Sequence, residues 1–339
     1  MTQPTQSTQE VQIGIESAYG TGVACPTRLL SLGFDIKPEQ TYDTFTPMGF
    51  KFPTVVTLIE DWSSGTIDGR MSYDEIIYGL ASAVCSPTSA VAGTGGNAAS
   101  TVWTFTPNFE DIDTPLSYTV QIGNDIIAEE VVGALISELA FTVDRSAGAT
   151  VTGAVLGQSF TTGITRTATP TSITPEIITS NNFDIYLCDT FSDVTGMTVG
   201  HLLDCRIGNF NITNRWGPFW AINSSLPSFS DYVELIPVVT FTLTMSADSV
   251  GWGILTDARV GDTAYITIHS QGITIPTTAK HFDFRLTMCG KVNAVPAKGY
   301  NENVVELTWQ FSSVFDETAN YAFTCVVQNG LPVNQLDPA

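Results

Sequence analysis

The chain has 339 residues, and its 13 lysines and arginines against 34 aspartates and glutamates give a formal charge of 13 − 34 = −21. This shortage of cations excludes tight binding to nucleic-acid phosphates and to anionic membrane surfaces, both of which need clustered lysine and arginine. Hydrophobic residues make up 43% of the chain and charged residues 14%, below the ~25% that is typical. We therefore expect a folded protein whose polar surface is carried by Thr, Ser, Asn and Gly, in one large domain or two of about 170 residues.

Residues 1–12 are polar and lack the apolar core of a signal peptide. The most apolar stretch, Leu235 to Ala247, contains several threonines and is shorter than the ~20 residues that cross a bilayer. We expect a soluble product made in a cytoplasm. The six cysteines show no Cys-x-x-Cys spacing and the three histidines are scattered, which argues against a zinc site and predicts buried, reduced thiols.

In chain order, the first clear element is a helix near residues 73–84. Ser72 and Glu75 have the spacing of a capping box, apolar residues follow at helical intervals, and Ser86-Pro87 ends the segment. Residues 86–100 are rich in Gly, Ala and Ser and predict a loop.

Most of the remaining chain alternates apolar and polar residues. This period of two, with abundant Thr, Val, Tyr and Phe, predicts half-buried strands and an all-β protein, either a barrel or a sandwich. The predicted strands include residues 117–122, 138–143, 239–245, 264–269, 284–288 and 304–311.

The chain also shows a weak internal repeat across a Thr-rich segment at 166–190. Five segments recur in the same order: 32–37 with 207–213, 55–58 with 238–241, 71–80 with 245–254, 117–123 with 264–270, and 139–160 with 284–314. This order predicts a tandem duplication, with a first β domain at 1–165, a linker at 166–190 and a second β domain at 191–339.

Motifs for catalysis and cofactors are absent from the sequence: it has no Walker A motif, no dinucleotide loop and no Gly-x-Ser-x-Gly. Asp111 and Asp113 resemble the start of a calcium loop, but its later Gly and Glu are missing. His201, His269 and His281 have no nucleophile partner that we can identify. We expect no catalytic residues, no metal and no cofactor.

Acidic residues are unevenly distributed. Between Met71 and Asp144 the chain has ten acids and no Lys or Arg. Such a field can serve solubility, or it can line a passage for a polyanion.

The chain resembles the tail tube (major tail) proteins of long-tailed bacteriophages. The resemblance rests on Ile13 to Pro26, on Gly65 to Glu75 with the helix that follows, on Trp103 to Pro107, on Ser117 to Gly123, and on the closing segments Val304 to Asp316 and Tyr321 to Asn329.

This resemblance implies a β-barrel or sandwich with one short flanking helix per tube domain. It also implies rings whose inner strands join around a lumen, stacked into a virion tail tube that conducts DNA during ejection. Three chains would form a ring if the duplication is real, and six otherwise. The implied partners are other copies of the chain, the tape-measure protein and other tail proteins, with DNA passing through without tight binding and with no membrane.

The acids between Met71 and Asp144 and the family's long loops supply candidate site residues. The candidate lumen acids are Glu110, Asp111, Asp113, Asp125, Glu129, Glu130 and Glu138. Loops that reach a neighbouring ring would be residues 39–53 and 214–231, with candidates Glu39, Tyr42, Phe45, Phe50, Lys51, Arg215, Trp216, Phe219 and Trp220.

Two alternatives stay open at this stage. One is a different virion β protein, such as a decoration, terminator or fibre component. The other is a carbohydrate-active β-sandwich enzyme, for which Glu129 and Glu130 would be the carboxylates to test.

Overall fold

A computed structural model describes residues 9–124, 126–197, 202–222, 227–248, 251–254, 261, 263–294, 296–301 and 304–338. Within them the chain is mostly strand, so the prediction of an all-β protein is confirmed. Nineteen strands belong to one hydrogen-bonded sheet system, and two more form a separate hairpin. The chain folds this way because alternating Thr, Val and aromatic residues give each strand one apolar and one polar face.

The strands of the first half are β1 (Glu10–Ile15), β2 (Thr27–Leu29), β3 (Leu32–Phe45), β4 (Val55–Arg70), β5 (Ser89–Ala92), β6 (Thr101–Phe105), β7 (Tyr118–Gly123), β8 (Ala128–Asp144), β9 (Gly148–Gly157) and β10 (Ser159–Thr162). They are followed by β11 (Thr171–Ser172), β12 (Phe183–Cys188), β13 (Cys205–Thr213), β14 (Trp216–Phe219), β15 (Asp231–Glu234), β16 (Val238–Ser246), β17 (Ala264–Thr274), β18 (His281–Val292), β19 (Ala297–Asn301), β20 (Val304–Ser313) and β21 (Phe323–Asn329). The helices are α1 (Ile76–Ala83) and α2 (Phe191–Thr195). Residues 251–254 are also helical, and short 3-10 turns occupy Gly95–Asn97 and Ser180–Asn182.

The two halves pair their strands in the same order. In the first half, antiparallel neighbours run β3-β4-β9-β8-β7-β1. In the second half they run β13-β16-β20-β18-β17-β12. Along the chain, a helix follows the second strand of each order: α1 follows β4, and the helical residues 251–254 follow β16. Four of the five segments that recur in the sequence lie on matching strands of the two orders, and the described parts of the other, 71–80 with 245–254, include the helix in each half.

Two strand pairs join the halves. β6 pairs with β21, from Thr101 opposite Asn329 to Phe105 opposite Cys325, and β8 pairs with β13 in what we call the internal joint. The last part of β8 pairs with β13, from Leu139 opposite Ile212 to Asp144 opposite Ile207. Seven neighbouring strands of both halves therefore form one continuous sheet, in the order β3-β4-β9-β8-β13-β16-β20. Beneath the joint, the buried rings of Phe141 and Phe210 stack with their centroids 5.9 Å apart.

Helix α1 begins at Ile76, three residues later than expected, and all eight of its residues are buried. The hydroxyl of Ser72 accepts a hydrogen bond from the Glu75 amide, as a capping serine does. The Glu75 carboxylate does not complete the capping box. It instead accepts the amides of Leu30, Ser31 and Leu32, which ties the start of the helix to the turn between β2 and β3.

The segment predicted as a linker, residues 166–190, lies extended against the first half. Its strand β11 pairs with β2 in parallel, and Ile173 and Ile178 are buried in the core. Its last residues form β12, which pairs with β17 in the second half. Because its apolar residues are anchored, this segment is a packed crossing rather than a free tether.

Candidate functional site

The seven-stranded sheet has one face that no other element covers in the described chain, which we call the polar face. The strand registers place its side chains in rows, because directly opposed residues share a face. One row runs from Asp68 through Thr152, Ala140, Asn211 and Thr240 to Ser312. The opposite faces of the same strands supply buried residues such as Ile67, Phe141, Phe210, Phe241 and Trp309.

The polar face is rich in hydroxyl and amide groups. Its polar, charged and small members include Asp35, Lys37, Ser64, Thr66, Asp68, Arg70, Glu138, Ala140, Thr142, Asp144, Thr150, Thr152, Ala154, Asn209, Asn211, Thr240, Thr242, Thr244, Glu306, Thr308, Gln310 and Ser312. The apolar Ile207 and Val238 lie in the same rows.

Five carboxylates and two cations are among the residues listed above, and Arg206 adds a third cation beside the face through its ion pair with Glu306. Asp35, Asp68 and Glu138 are exposed. Asp144 accepts the amide and hydroxyl of Ser146 at 2.7 and 2.6 Å, and these hydrogen bonds lower the pKa of its carboxyl. Glu306 is paired with Arg206 at 3.3 Å. The face therefore presents hydroxyls with a modest excess of negative charge.

Few of the acids expected in the lumen lie on this face. Glu138 does, whereas Glu110 and Asp111 are exposed in the segment between β6 and β7. Glu129 and Glu130 lie at the start of β8, where its partners are β7 and β10 rather than the polar sheet. Asp125 lies outside the described residues.

Asp113 is a correction to the expected lumen acids, because it is buried. Its carboxylate lies 2.8 Å from Nη2 of Arg215 and accepts the Asn108 amide at 2.8 Å. Burial raises the pKa of Asp113, and the bonds from Asn108 and Arg215 oppose that rise. A carboxylate held in this way cannot face a lumen, nor can it begin a calcium loop with Asp111.

Arg215 and Trp216 are also corrections, since they were expected in a loop reaching another ring. Both are buried, at 2% and 3% exposure. Arg215 donates through Nε to the carbonyl of Ala83 at 3.0 Å and pairs with Glu234 at 2.8 Å. The indole of Trp216 donates to the Ser82 carbonyl at 2.8 Å. The second half thus covers the end of helix α1, where unpaired carbonyls need donors.

Exposed apolar side chains concentrate on the hairpin formed by the far ends of β3 and β4, residues 37–60, which we call the arm. Its turn includes the predicted residues Phe50 and Lys51, and Phe50 is 63% exposed. The predicted Glu39, Tyr42 and Phe45 are exposed on β3. Further exposed apolar residues are Met48, Phe52, Val55, Val56, Leu58 and Ile59. Such a concentration on one projecting element is typical of a protein contact.

The other predicted loop is described at residues 214–222 and 227–231, and these residues fold against the base of the arm. The ring of Trp220 packs edge-on against Trp62 at 6.5 Å and against Phe229 at 5.7 Å. Phe219 remains half exposed on β14. Only part of this segment is therefore available to another subunit.

Other reactive groups are occupied by local contacts. All six cysteines are free, and burial raises the pKa of Cys25 and Cys289 to about 12. His269 bonds Asp283 at 2.7 Å, and His201 lies outside the described residues. Where the structure describes the chain, no group of three His, Cys, Asp or Glu side chains could hold a metal ion. Within the same residues, no helix has the length and apolar character to cross a membrane.

The sequence reasoning missed Asp35 and Asp68 as candidate site residues. Both lie in period-two segments, at positions that alternate with the buried Phe34 and Ile67. That alternation was a usable signal, but it does not say which sheet face stays uncovered.

Comparison of the chain with models of known protein families gives no match, and comparison with curated protein sequences also gives none.

Proposed function

We propose that this protein is a structural subunit of a hollow tube, the tail tube of a long-tailed bacteriophage, built from stacked rings that conduct DNA. The observation that carries the proposal is the continuous sheet shared by both halves, with its uncovered polar face. Sheets normally bury at least one face against a core, and this sheet does so. Its other face is lined by small polar side chains, which suits the inner wall of an aqueous passage.

The strand count supports a ring of three chains. β19 pairs with β20 beyond the seventh strand, so each chain offers eight neighbouring strands, four from each half. Three chains would supply 3 × 8 = 24 strands. At about 4.8 Å between strands and a tilt of roughly 40°, a closed barrel of this size is about 45–50 Å across between backbones. That leaves room for a DNA duplex, which is roughly 20 Å wide judging from its groove depths.

The matching strand orders of the two halves support a tandem duplication. Under this proposal each half contributes one equivalent sector of the ring wall. A barrel that closes on itself also removes unpaired strand edges, which otherwise promote uncontrolled association.

The arm supplies the contact between rings under this proposal. Its exposed Phe50 and Phe52 lie at the end of a hairpin that extends well beyond the packed sheet. Burying such side chains against a neighbour contributes about 1.5–3 kcal/mol each. Stacking of rings would therefore be driven mainly by apolar burial.

The carboxylates on the polar face support the passage of DNA rather than its capture. Lysine and arginine bind phosphates by releasing counterions, and this face carries few of them. Asp68 and Glu138 would repel phosphates weakly at physiological salt, which keeps the duplex from sticking.

Electron microscopy of the concentrated, purified protein tests the proposal. We expect hollow tubes or rings of one diameter. Monomers at every concentration, together with virions whose tubes do not contain the chain, would refute it. The same result would favour a decoration, terminator or fibre protein, or an enzyme.

A charge reversal tests the conduit itself. The double variant Asp68→Lys and Glu138→Lys should assemble into tubes but slow DNA ejection from virions. The matched control is Glu110→Lys with Asp111→Lys, which reverses two exposed acids away from the polar face. Equal ejection by both double variants would contradict a role for the polar face.

A further inference from the structure

We infer that two exposed strand edges of this chain, on β3 and on β19, pair with each other between copies and reproduce the internal joint. The partner is therefore a second copy of the same chain. This inference rests on the proposed function, in that it specifies which surfaces close the ring.

The internal joint supplies the template. β8 turns into β9 at Asp144 opposite Gly148, and its outer edge pairs with β13. In the second half, β18 and β19 together occupy the place of β8: both pair with β20, and the hairpin closes at Asn301 opposite Val304. β19 thus corresponds to the part of β8 that holds β13. Within the described residues, however, no strand pairs with its outer edge.

The opposite surface is β3, which corresponds to β13. β13 pairs with two strands, β8 and β16. β3 pairs with β4, and no other strand of the described chain occupies its second edge. Each end of the eight-strand series therefore has one unpaired edge, and the two edges are those that the internal joint brings together.

The burial of equivalent side chains supports the same conclusion. At the internal joint, Val143 and the opposed Ala149 are 7% and 0% exposed. Their counterparts in the second half, Tyr300 and the opposed Val305, are 80% and 39% exposed. An aromatic residue on the core side of a sheet edge needs cover, and the register of the internal joint places Phe34 of the next copy opposite Tyr300.

Transferring that register residue by residue gives specific neighbours. Thr142 lies opposite Asn209 in the internal joint. Gly299 on β19 is the position equivalent to Thr142, and Asp35 on β3 is the position equivalent to Asn209, because each occupies the same row in its own half. Directly opposed residues on antiparallel strands have Cα atoms about 4.5–5.5 Å apart, which is within the range of a disulfide. A Cβ atom added at Gly299 would have no described atom within 4 Å apart from its own chain neighbours, so the position has room for a cysteine.

Cysteine cross-linking of the full chain tests this pairing. Asp35→Cys combined with Gly299→Cys should convert most assembled chains to covalent trimers on mild oxidation. Each single variant retains the six native thiols, of which five are buried and Cys205 is half-buried, and should remain uncross-linked. The off-register control is Gly33→Cys with Ala297→Cys. Those positions lie about 13 Å apart in the proposed register, given four residues of strand, so this variant should give no trimer.

The outcomes separate the two proposals. Tubes that form without the 35–299 cross-link, or that cross-link equally well in the off-register variant, overturn the edge pairing and leave the tube function standing. A chain that cross-links into closed trimers but never stacks supports the edge pairing and counts against the tube.

A second variant tests the same edge pairing without introducing cysteines, in case the double cysteine variant does not fold. Tyr300→Asp should abolish rings while leaving the circular dichroism spectrum of the chain unchanged. Val91→Asp, at an exposed position on β5, is the matched control and should form rings normally. Rings that survive Tyr300→Asp would overturn the inference.

Discussion

The buried ion pair between Arg215 and Asp113 offers the sharpest test of how the two halves are held together. Arg215 donates to the carbonyls of Ala83 and Val84 and pairs with both Asp113 and Glu234. Replacement by Met keeps much of the side-chain volume but removes every donor. Asp113, at 6% exposure, would then remain as a buried charge whose main partner is gone.

The expected cost of Arg215→Met is about 4 kcal/mol in the free energy of unfolding, because breaking a buried pair typically costs 3–5 kcal/mol. Glu234 contributes less to this figure, since its side chain is 18% exposed and retains some access to water. Adding Asp113→Asn removes the buried carboxylate charge that Arg215→Met leaves unpaired, so the double variant should be more stable than Arg215→Met alone. We expect a coupling free energy of about 2 kcal/mol between the two sites.

Urea unfolding of the unassembled chain, followed by tryptophan fluorescence, measures these free energies. Trp216 is a suitable reporter because the guanidinium carbon of Arg215 lies 4.5 Å from its ring. Protein concentration must be kept fixed, because assembly would add apparent stability. Arg145→Met, at an exposed position, is the matched control and should change the free energy by less than about 0.5 kcal/mol. A loss below about 1 kcal/mol for Arg215→Met, or strict additivity in the double variant, would refute this reasoning.

Three further predictions concern single side chains. Burial raises the pKa of Asp74 to about 6, so the folded state holds this proton more tightly than the unfolded state does. The free energy of unfolding should therefore fall by roughly 3 kcal/mol as the pH rises from about 4 to about 6. Asp74→Asn should remove that slope from urea titrations made at several pH values, while Asp43→Asn on the exposed arm should keep it. Glu75→Ala should lower the free energy of unfolding by about 3 kcal/mol or more in the same assay, because the amides that donate to its carboxylate lose their acceptor. A loss below about 1 kcal/mol would contradict this role of Glu75. Phe50→Asp should leave unfolding unchanged but prevent rings from stacking in electron micrographs, and long tubes from this variant would exclude the arm as the contact between rings.

The local pattern of the sequence predicted much of the fold. Alternation in segments such as 239–245 and 304–311 places one residue in two toward the core, and the structure has strands there with that burial. The helix was predicted as well, because its apolar spacing differs from that of a strand. The predicted role of Glu75 was wrong, since its carboxylate binds the turn between β2 and β3, which is distant in sequence and was not visible in the motif.

For a related reason, the structure exposes some of the predicted site residues and buries others. Phe45 and Phe50 are exposed on the arm, since a hairpin is a local structure, and their contact with another ring stays a prediction. Arg215 and Trp216 have the composition of a surface loop, yet they are buried against a helix more than 130 positions earlier in the chain. Sequence spacing carries no information about such a contact.

By itself, the sequence determined the all-β class, the two faces of each strand and the shortage of cations, because these depend on side-chain type and a period of two. Tertiary structure decided which face stays uncovered, which acids lie on it and which strand edges remain unpaired. These properties depend on long-range pairing, such as β8 with β13, where backbone groups hydrogen-bond regardless of side-chain identity. The acids Asp35 and Asp68 therefore became candidates for the wall of a passage only once the registers of seven strands had placed them on one face.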